Sequence, residues 1–433
     1  MTGIVLEGED LDVYRIQGGE KLRGSVRIEG SKNAVLPILA ACIINGGRNV
    51  LYNYPDLRDV SVMLNILEVI GCKVEKMDDM LVVDTTEILT SEIPDKLVRE
   101  MRSSVVIIGA MLTRMKKTIL SYPGGCEIGT RPIDLHVKGL RALGAKISEV
   151  GGYLLCEAEN LVGTEIGLDF PSVGATENIM LAAVGAQGTT IIRNAAREPE
   201  VVDLQNFLNS IGCRITGAGT NIIRVYGVKK FKPTEYRIMP DRIVAGTYLA
   251  MAAATGGNIE ITEVIPEHFS ALLFKLKEAG CKLKIEKTKI EIESPKRLFS
   301  VDTIKTLPYP AFPTDLQAPM LALMSIASGT SIIVENIFEN RFKHVNDLIK
   351  MGAKITIEGR TAIIKGVKKL YGAQVEAKDL RGGAALVLAG LVAEGETIID
   401  GIHHIERGYE ALHIKLELLG AKINKTIELG EKE

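Results

Sequence analysis

The apolar and polar positions of the chain follow a pattern that recurs six times. In each repeat an amphipathic segment ends in the phrase Leu-x-x-x-Gly, followed by a small, a basic and an apolar residue. The glycine of this phrase stands at positions 71, 144, 212, 280, 352 and 420, with spacings of 73, 68, 68, 72 and 68 residues. A glycine between an amphipathic helix and an apolar strand is typical of a left-handed helix end. The phrase therefore predicts six turns from helix to sheet.

A second element lies upstream of each phrase. It is an apolar helix rich in small residues, followed by a glycine and a β-branched strand, as in residues 179–193, 244–262 and 384–400. A helix that is apolar on nearly all sides belongs in an interior. The predicted unit is thus buried helix, strand, amphipathic helix, strand, strand. Six such units cover nearly the whole chain and predict an α/β fold, in which three plus three units would make two similar domains.

Short polar or charged segments precede the predicted buried helices. They contain Ser31, Lys32 and Asn33; Arg102; Ser172, Val173 and Gly174; Asp241 and Arg242; Thr314 and Asp315; and Asp379 and Arg381. If the helices are related by symmetry, their N-termini converge and present unpaired N–H groups to one region. Ser172 and Thr314 also fit simple helix caps. Cations oppose the helix dipole at such ends, so we expect an anionic ligand, a phosphate or a carboxylate, between them.

Residues 123–135 contain the most reactive combination of side chains in the sequence. Three glycines accompany Cys126, Arg131 and Asp134, and this repeat has 28 residues between its strand-leading residue and its helix-end glycine, against 23 to 25 in the others. The other cysteines have structural interpretations: Cys72, Cys213 and Cys281 occupy a small-residue position of the repeat, Cys42 an apolar helix, and Cys156 a strand. We therefore expect a closing lid that carries Cys126 to the site; an inert surface thiol is the alternative.

Composition and charge exclude several classes of function. The 433 residues are 46% hydrophobic, and 52 basic residues nearly balance 54 acidic ones, which gives no general attraction to nucleic acid or anionic membranes. The apolar runs are too short to span a bilayer, and the first residues lack a signal pattern, so we expect a cytoplasmic protein. No metal-site spacing, P-loop or dinucleotide fingerprint is present, and no metal or other cofactor is expected.

Seven motifs resemble one family, the UDP-N-acetylglucosamine 1-carboxyvinyltransferases, also called enolpyruvyl transferases, of bacterial peptidoglycan synthesis. They are Gly-Ser-Lys-Asn-Ala (30–34), Pro-Gly-Gly-Cys-x-Ile-Gly-x-Arg-Pro-x-Asp-Leu-His (123–136), Ser-Val-Gly-Ala-Thr (172–176), Asn-Ala-Ala-Arg-Glu-Pro-Glu (194–200), Pro-Ala-Phe-Pro-Thr-Asp (310–315), Glu-Asn-Arg-Phe (339–342) and Arg-Gly-Tyr-Glu (407–410). The resemblance implies a two-domain inside-out α/β barrel of six βαβαββ repeats, with pseudo-threefold symmetry in each domain. It implies one domain of residues 32–239 with the lid, a second of residues 1–31 and 240–433, and an active site in the cleft between them.

The resemblance also implies the reaction and its residues. Enolpyruvate would pass from phosphoenolpyruvate to the 3-hydroxyl of UDP-N-acetylglucosamine with release of phosphate, the first committed step of peptidoglycan synthesis. Lys32, Arg131 and Arg407 would hold phosphoenolpyruvate with Arg102 nearby, Asp315 would take the hydroxyl proton, Cys126 would act as proton donor or covalent thiol, and Asp379 and Arg381 would support proton transfer and closure. Positions contacting the nucleotide sugar would be Asn33, Pro132, Ile133, Asp134, Leu135, Ser172, Val173, Gly174 and Ile337. We add Arg341, from the charged segment 338–342, to the expected substrate-binding residues.

Two alternatives remain open at this point. One is the shikimate-pathway enolpyruvyl transferase, which shares the fold and donor, and the other is a binding protein that keeps the site without turnover. The sequence departs from the family at Phe170, where some members carry a lysine that helps neutralise the diphosphate. Apart from the two small-molecule substrates no partner is expected, and we expect a monomer.

Overall fold

A computed structural model describes residues 10–77, 79–122 and 133–429. Thirteen α-helices occur in these ranges: α1 Lys32–Asn45, α2 Arg58–Val69, α3 Asp95–Glu100, α4 Ile107–Met115, α5 Asp134–Ala142, α6 Val173–Ala183, α7 Pro199–Ser210, α8 Arg242–Thr255, α9 Ser270–Glu278, α10 Gln317–Met324, α11 Val345–Lys350, α12 Leu380–Val392 and α13 Leu412–Leu418. Four short 3₁₀ helices span Arg102–Val106, Pro266–Phe269, Thr314–Leu316 and Ile402–His404. No helix in the described ranges has the length and apolar character needed to cross a bilayer.

The described strands form six separate sheets. In chain order they are β1 Asp10–Gln17, β2 Arg23–Arg27, β3 Arg48–Tyr52, β4 Lys73–Met77, β5 Met80–Asp84, β6 Lys117–Ser121, β7 Lys146–Val150, β8 Tyr153–Glu157, β9 Glu165–Gly167, β10 Thr189–Arg193, β11 Arg214–Thr216, β12 Ile222–Tyr226, β13 Glu235–Arg237, β14 Asn258–Thr262, β15 Lys282–Ile285, β16 Lys289–Glu293, β17 Thr303–Lys305, β18 Thr330–Val334, β19 Lys354–Glu358, β20 Thr361–Lys365, β21 Gln374–Glu376, β22 Glu396–Asp400 and β23 Lys422–Leu429. The sheet orders are β13-β3-β5-β4, β6-β8-β7, β9-β10-β12-β11, β2-β14-β16-β15, β17-β18-β20-β19 and β21-β22-β1-β23.

Five of the sheets share one arrangement of four strands. A short strand pairs in parallel with the strand that follows the buried helix, and two antiparallel strands complete the sheet, as in β13, β3, β5 and β4. The sheet of β6, β8 and β7 has the same antiparallel part, and a single parallel bridge from Glu92 to Ile119 takes the place of its fourth strand. The predicted repeat and the α/β class are confirmed.

The six helix-to-strand turns have the predicted glycine geometry. Gly71, Gly144, Gly212, Gly280, Gly352 and Gly420 have φ between 94° and 110°. In every repeat the N–H after the glycine donates to the carbonyl of the leucine that opens the phrase, for example Cys72 N to Leu67 O at 2.9 Å. This six-to-one hydrogen bond satisfies a carbonyl at the helix end. A side chain at the glycine would strain the turn, which explains why each repeat has glycine there.

The buried apolar residues form two clusters, which lie inside the sheets. One contains residues from Ala34 to Met239, and the other contains residues between Tyr14 and Ile28 and between Ile243 and Ile423. The helix α4 packs against α1 and α6 in the first cluster, and α8, α10 and α12 all pack against one another in the second. We propose domain boundaries at residues 32 and 240, which the two clusters support.

Two chain crossings lie side by side between the clusters. Gly30 and Pro240 form an antiparallel bridge, in which Ser31 N donates to Met239 O at 2.7 Å and Asp241 N donates to Glu29 O at 2.9 Å. The residues that follow each crossing are the first residues of α1 and α8. The crossings therefore place Lys32 and Asp241 at the boundary between the two cores.

Candidate active site

Lys32 and Arg407 meet on one buried carboxylate, that of Asp59. Lys32 Nζ lies 3.1 Å from Asp59 Oδ2, while Arg407 donates from Nε to Oδ1 at 2.9 Å and from Nη2 to Oδ2 at 3.4 Å. Lys32 opens α1 and Asp59 lies in the first turn of α2, whereas Arg407 follows the 3₁₀ helix Ile402–His404 of the other core. The structure thus brings together two of the cations expected to bind an anionic substrate.

Asp315 is the centre of a second ionic group. Its Oδ1 accepts from Arg341 Nη2 at 2.5 Å, and its Oδ2 accepts from Arg381 Nη2 at 3.3 Å. The side chains of the two arginines are 3% and 4% exposed, but that of Asp315 is 27% exposed. The guanidinium groups therefore orient the carboxylate and leave part of it accessible to a ligand.

Asp241 connects the two ionic groups. It caps α8 by accepting from Ile243 N at 2.8 Å and Val244 N at 3.0 Å, and it also accepts from the backbone N–H of Lys32 at 3.2 Å. Burial raises the pKa of Asp241, and the nearby Arg381 charge opposes that rise. A continuous series of charged groups therefore runs from Arg407 to Asp315 across the boundary. It contains cations for an anionic ligand and a carboxylate that can take a proton.

Asp379 caps the start of α12. It accepts from Arg381 N at 3.0 Å and from Gly382 N at 2.9 Å. The Arg381 guanidinium lies over the Tyr409 ring, 5.4 Å from its centre. Burial lowers the pKa of the neighbouring His344 to about 4 although the Asp379 charge opposes this, so the imidazole is neutral at pH 7. These contacts fix Arg381 against Asp315.

Arg102 belongs to a second part of the candidate site, around His136. Burial lowers the pKa of His136 to about 4, and the charge of Arg102 acts in the same direction. Asn178 Nδ2 lies 3.0 Å from His136 Nδ1, while its Oδ1 accepts from Gly109 N. Gly174 packs on the ring so closely that a Cβ there would lie 3.1 Å from His136 Cε1. The neutral imidazole of His136 therefore packs against Gly174 at the start of α6.

The other expected nucleotide-sugar residues lie at helix starts and in one loop. Ser172 caps α6 by accepting from Ala175 N at 3.3 Å. Ile337 follows β18, and its N–H donates to the buried Glu335 at 2.8 Å. Phe170, the departure from the family, is 45% exposed and leaves an apolar ring beside Ser172. The remaining positions are Asn33, half-buried in α1; Ile133, buried before α5; Asp134, exposed, and Leu135, half-buried, in the first turn of α5; and Val173, half-buried at the start of α6.

Five of the six cysteines occupy the interior positions that the sequence predicts for them. Cys42, Cys72, Cys156, Cys213 and Cys281 are all buried and free. Burial raises the pKa of Cys72, Cys156 and Cys213 to about 12 and that of Cys281 to about 11, so these thiols stay protonated near neutral pH and are poor nucleophiles. Cys126, Arg131 and Pro132 lie outside the described residues.

A buried ion pair joins the two cores at a different point of the boundary. Arg242, at the start of α8, donates from Nε and Nη2 to the two oxygens of Glu200 in α7, at 3.0 and 3.3 Å. Burial, followed by the Glu200 and Glu198 charges, raises the pKa of Glu177 well above its ordinary value. The segment 194–200 therefore places its acids beside an arginine of the other core.

Sequence reasoning missed the carboxylate that holds Lys32 and Arg407. Asp59 reads as an ordinary acid in the first turn of an amphipathic helix, where it favours the helix dipole. Asp59 differs from an ordinary surface acid because it is only 3% exposed, and the neighbouring residues of the sequence do not predict this burial. Glu335, which holds the loop of Ile337, was missed for the same reason.

Comparison with known sequences places the chain among carboxyvinyltransferases. Residues 16–416 match the sequence model of the family EPSP synthase (3-phosphoshikimate 1-carboxyvinyltransferase). A UDP-N-acetylglucosamine 1-carboxyvinyltransferase 2 of Caldanaerobacter subterraneus is 57% identical over 410 residues, which cover 95% of this chain and 98% of that protein. A UDP-N-acetylglucosamine 1-carboxyvinyltransferase 1 of Carboxydothermus hydrogenoformans is 50% identical, with coverage of 96% and 98%.

Solved structures agree on the fold. The enolpyruvyl transferase NikO from Streptomyces tendae superposes with a TM-score of 0.88 at 22% identity, covering 97% of this chain and all of that one. EPSP synthase from Acinetobacter baumannii gives a TM-score of 0.75 at 18% identity, with coverage of 96% and 100%. The expected two-domain architecture is confirmed.

Proposed function

The chain belongs to the family of UDP-N-acetylglucosamine 1-carboxyvinyltransferases, and on that premise we propose that it transfers enolpyruvate from phosphoenolpyruvate to the 3-hydroxyl of UDP-N-acetylglucosamine, releasing phosphate. This reaction is the first committed step of peptidoglycan synthesis. The relatives at 50% and 57% identity carry the nucleotide sugar in their names, which favours it over shikimate 3-phosphate as acceptor.

The observation that carries the proposal is the charged series at the boundary. Phosphoenolpyruvate has a phosphate and a carboxylate, and Lys32 and Arg407 offer donors for such groups from two cores. Arg341 and Arg381 add positive charge beside Asp315. Cations placed where phosphate departs stabilise the developing negative charge.

The chemistry requires an acid and a base on opposite sides of the reacting carbon. The acceptor hydroxyl loses its proton and its oxygen bonds to the central carbon of phosphoenolpyruvate as the methylene gains a proton and becomes a methyl group. Phosphate then leaves as that methyl group loses a proton, which restores the carbon–carbon double bond in the product. We assign the base to Asp315, whose carboxylate is oriented by two arginines and partly exposed. Cys126 is the assigned partner, as proton donor or through a covalent adduct, and Arg131 of the same segment would join the donor site. Asp379 is assigned to proton transfer.

We assign the nucleotide sugar to the surface around His136 and the start of α6. The resemblance places Arg102 near phosphoenolpyruvate, but its charge acts on His136, so we assign it to this surface. Ser172 and Gly174 lie in the first turn of α6 or just before it, and Ile337 lies in the loop after β18. Helix N-termini favour phosphate groups. Asn33, Ile133, Asp134 and Leu135 extend this surface, and Pro132 would do so.

We further propose that the protein acts as a monomer in the cytoplasm. The described cations and carboxylates of the charged series pair with one another within one chain, so this series is complete without a second copy. Five buried free thiols suit a reducing compartment.

Phosphate release measured with either acceptor tests the function. We expect release with phosphoenolpyruvate and UDP-N-acetylglucosamine, and none with phosphoenolpyruvate and shikimate 3-phosphate. Asp315→Asn should abolish release, whereas Asp302→Asn, a matched change at an exposed aspartate, should not alter it. Release only with the shikimate ester, or with neither acceptor, would refute the proposal.

A further inference from the structure

Asp59 occupies a position that a simple structural aspartate does not need. Both of its oxygens face cations, since Oδ1 accepts from Arg407 and Oδ2 from Arg407 and Lys32. The cap position of α2 belongs to Leu57, which has no side-chain cap hydrogen bond. Asp59 therefore stabilises two substrate-binding candidates across the domain boundary and does not close its own helix.

The electrostatic environment keeps Asp59 ionised. Burial alone would raise its pKa, but Lys32 and then Arg407 outweigh this effect, and the pKa lies below its ordinary value. The carboxylate side chain is 4% exposed, so the solvent screens these charges little. The three groups together carry one net positive charge in place of two.

The hydrogen bonds leave room for a ligand on the same cations. Asp59 uses Nε and one Nη of Arg407, one edge of the guanidinium, and a single donor position of Lys32. Arginine has five N–H donors and lysine three, so each cation keeps donors on its other side. The Arg407 side chain is 35% exposed and can present that side to a ligand.

We propose that Asp59 is a positioning residue of the transfer reaction, resting on the function proposed above. It holds Lys32 and Arg407, which come from opposite domains, in one place where both can receive the phosphate of phosphoenolpyruvate. Its negative charge also limits how tightly the pair retains free phosphate after the transfer. Asp59 thus lowers the affinity for free phosphate and raises the rate of the transfer reaction. Without it, the two cations would bind phosphate more strongly but would be less well oriented.

Asp59→Asn removes the charge and nearly preserves the shape, so it separates these effects. We expect the inhibition constant of inorganic phosphate to fall about tenfold and kcat to fall at least about tenfold, while KM for phosphoenolpyruvate does not rise. The matched control is Asp56→Asn, which removes the same charge three residues away from a side chain that is 73% exposed. This control should leave all three constants unchanged.

A merely structural role would produce a different pattern. Loss of packing would raise KM and lower kcat together and would not strengthen phosphate inhibition. That pattern, or constants for Asp59→Asn equal to those of the unsubstituted protein, would overturn the proposal.

Asp59→Glu gives a second test that keeps the charge. The phosphate inhibition constant should stay within about twofold of that of the unsubstituted protein, while kcat falls at least about tenfold because the cations are displaced. If Asp59→Asn does not fold, the constants of Asp59→Glu alone test the proposed role of Asp59. Unchanged kcat, or phosphate inhibition that strengthens in spite of the retained charge, would overturn the proposal.

Calorimetric titration with inorganic phosphate separates this inference from the function. It measures phosphate affinity without turnover, so it tests the charge of Asp59 even if the unsubstituted protein releases no phosphate from its substrates. Absence of release in the unsubstituted protein would refute the proposed function. Calorimetric affinities that do not increase in Asp59→Asn would refute the role of Asp59 alone.

Discussion

Replacing Arg242 by methionine is expected to destabilise the protein more than replacing Glu200 by glutamine. The two side chains are 8% and 3% exposed, so solvent screens their paired hydrogen bonds at 3.0 and 3.3 Å only weakly. Removing one partner of a buried ion pair leaves an uncompensated charge and costs about 3–5 kcal/mol. Arg242→Met leaves Glu200 in that state, close to Glu177 and Glu198.

Glu200→Gln has a smaller expected cost. Glutamine still offers an oxygen to Arg242, and the nearby Glu198 charge still favours the guanidinium. The loss then approaches that of a hydrogen bond to a charged group, about 1.5–3 kcal/mol. Urea unfolding of both variants, followed by circular dichroism, measures the difference.

The destabilisation caused by Arg242→Met is also expected to depend on pH in a defined direction. Burial raises the folded-state pKa of Glu177 and of Glu198. A carboxyl group with a raised pKa contributes stability below its unfolded pKa and loses that contribution as pH rises through the folded pKa. The cost of Arg242→Met should therefore be smaller at pH 5 than at pH 8. A cost below about 1 kcal/mol, or one that grows on acidification, would refute the reasoning.

Three further predictions concern single positions. Cys126→Ala should abolish phosphate release. Cys213→Ala should keep the rate of release within about twofold, because this thiol is buried and its pKa is raised to about 12. Equal effects of the two changes would contradict the assignment of a reactive role to Cys126 and a structural role to Cys213. Gly174→Ala should raise KM for UDP-N-acetylglucosamine by about tenfold, because the new Cβ would lie 3.1 Å from the His136 ring; an unchanged KM in the kinetic assay would count against this. Burial raises the pKa of Asp203 to about 6, so the ionised carboxylate destabilises the folded state. As pH rises through 6, the free energy of unfolding of the unsubstituted protein should fall relative to that of Asp203→Asn by up to about 3 kcal/mol. Thermal unfolding profiles of the two proteins that stay parallel across this pH range would exclude this.

The sequence predicts the repeats well because their signals are local. The turn at Gly71 needs only a left-handed residue and a hydrogen bond from Cys72 to Leu67, all within one phrase. Helix starts are similarly local, and Ser172 caps α6 as the sequence suggests. Lys116 stands where five repeats have glycine between the buried helix and its strand, and it has φ 65°, a conformation that its side chain disfavours.

The ionic partners of the site could not be predicted from the sequence. Asp59 and Arg407 are 348 residues apart, and their contact depends on how two domains pack. Asp315 and Arg381 are separated by 66 residues and meet only because α10 and α12 start side by side. The family resemblance identified the cations and Asp315 as site residues, but Asp59, the carboxylate that holds Lys32, could be identified only from the structure.

Strand β1 pairs with β22 on one side and with β23 on the other, so an early segment of the chain completes the last sheet. During synthesis on the ribosome β1 emerges hundreds of residues before either partner. The apolar cluster of residues 34–239 can form before the partners of β1 and β2 have been made, because domains generally fold as units. Until β22 appears, β1 has two unpaired edges, and one of them stays unpaired until β23 follows; such edges favour association with other chains. We therefore expect growing chains to aggregate less when β1 is protected until the last strand is made.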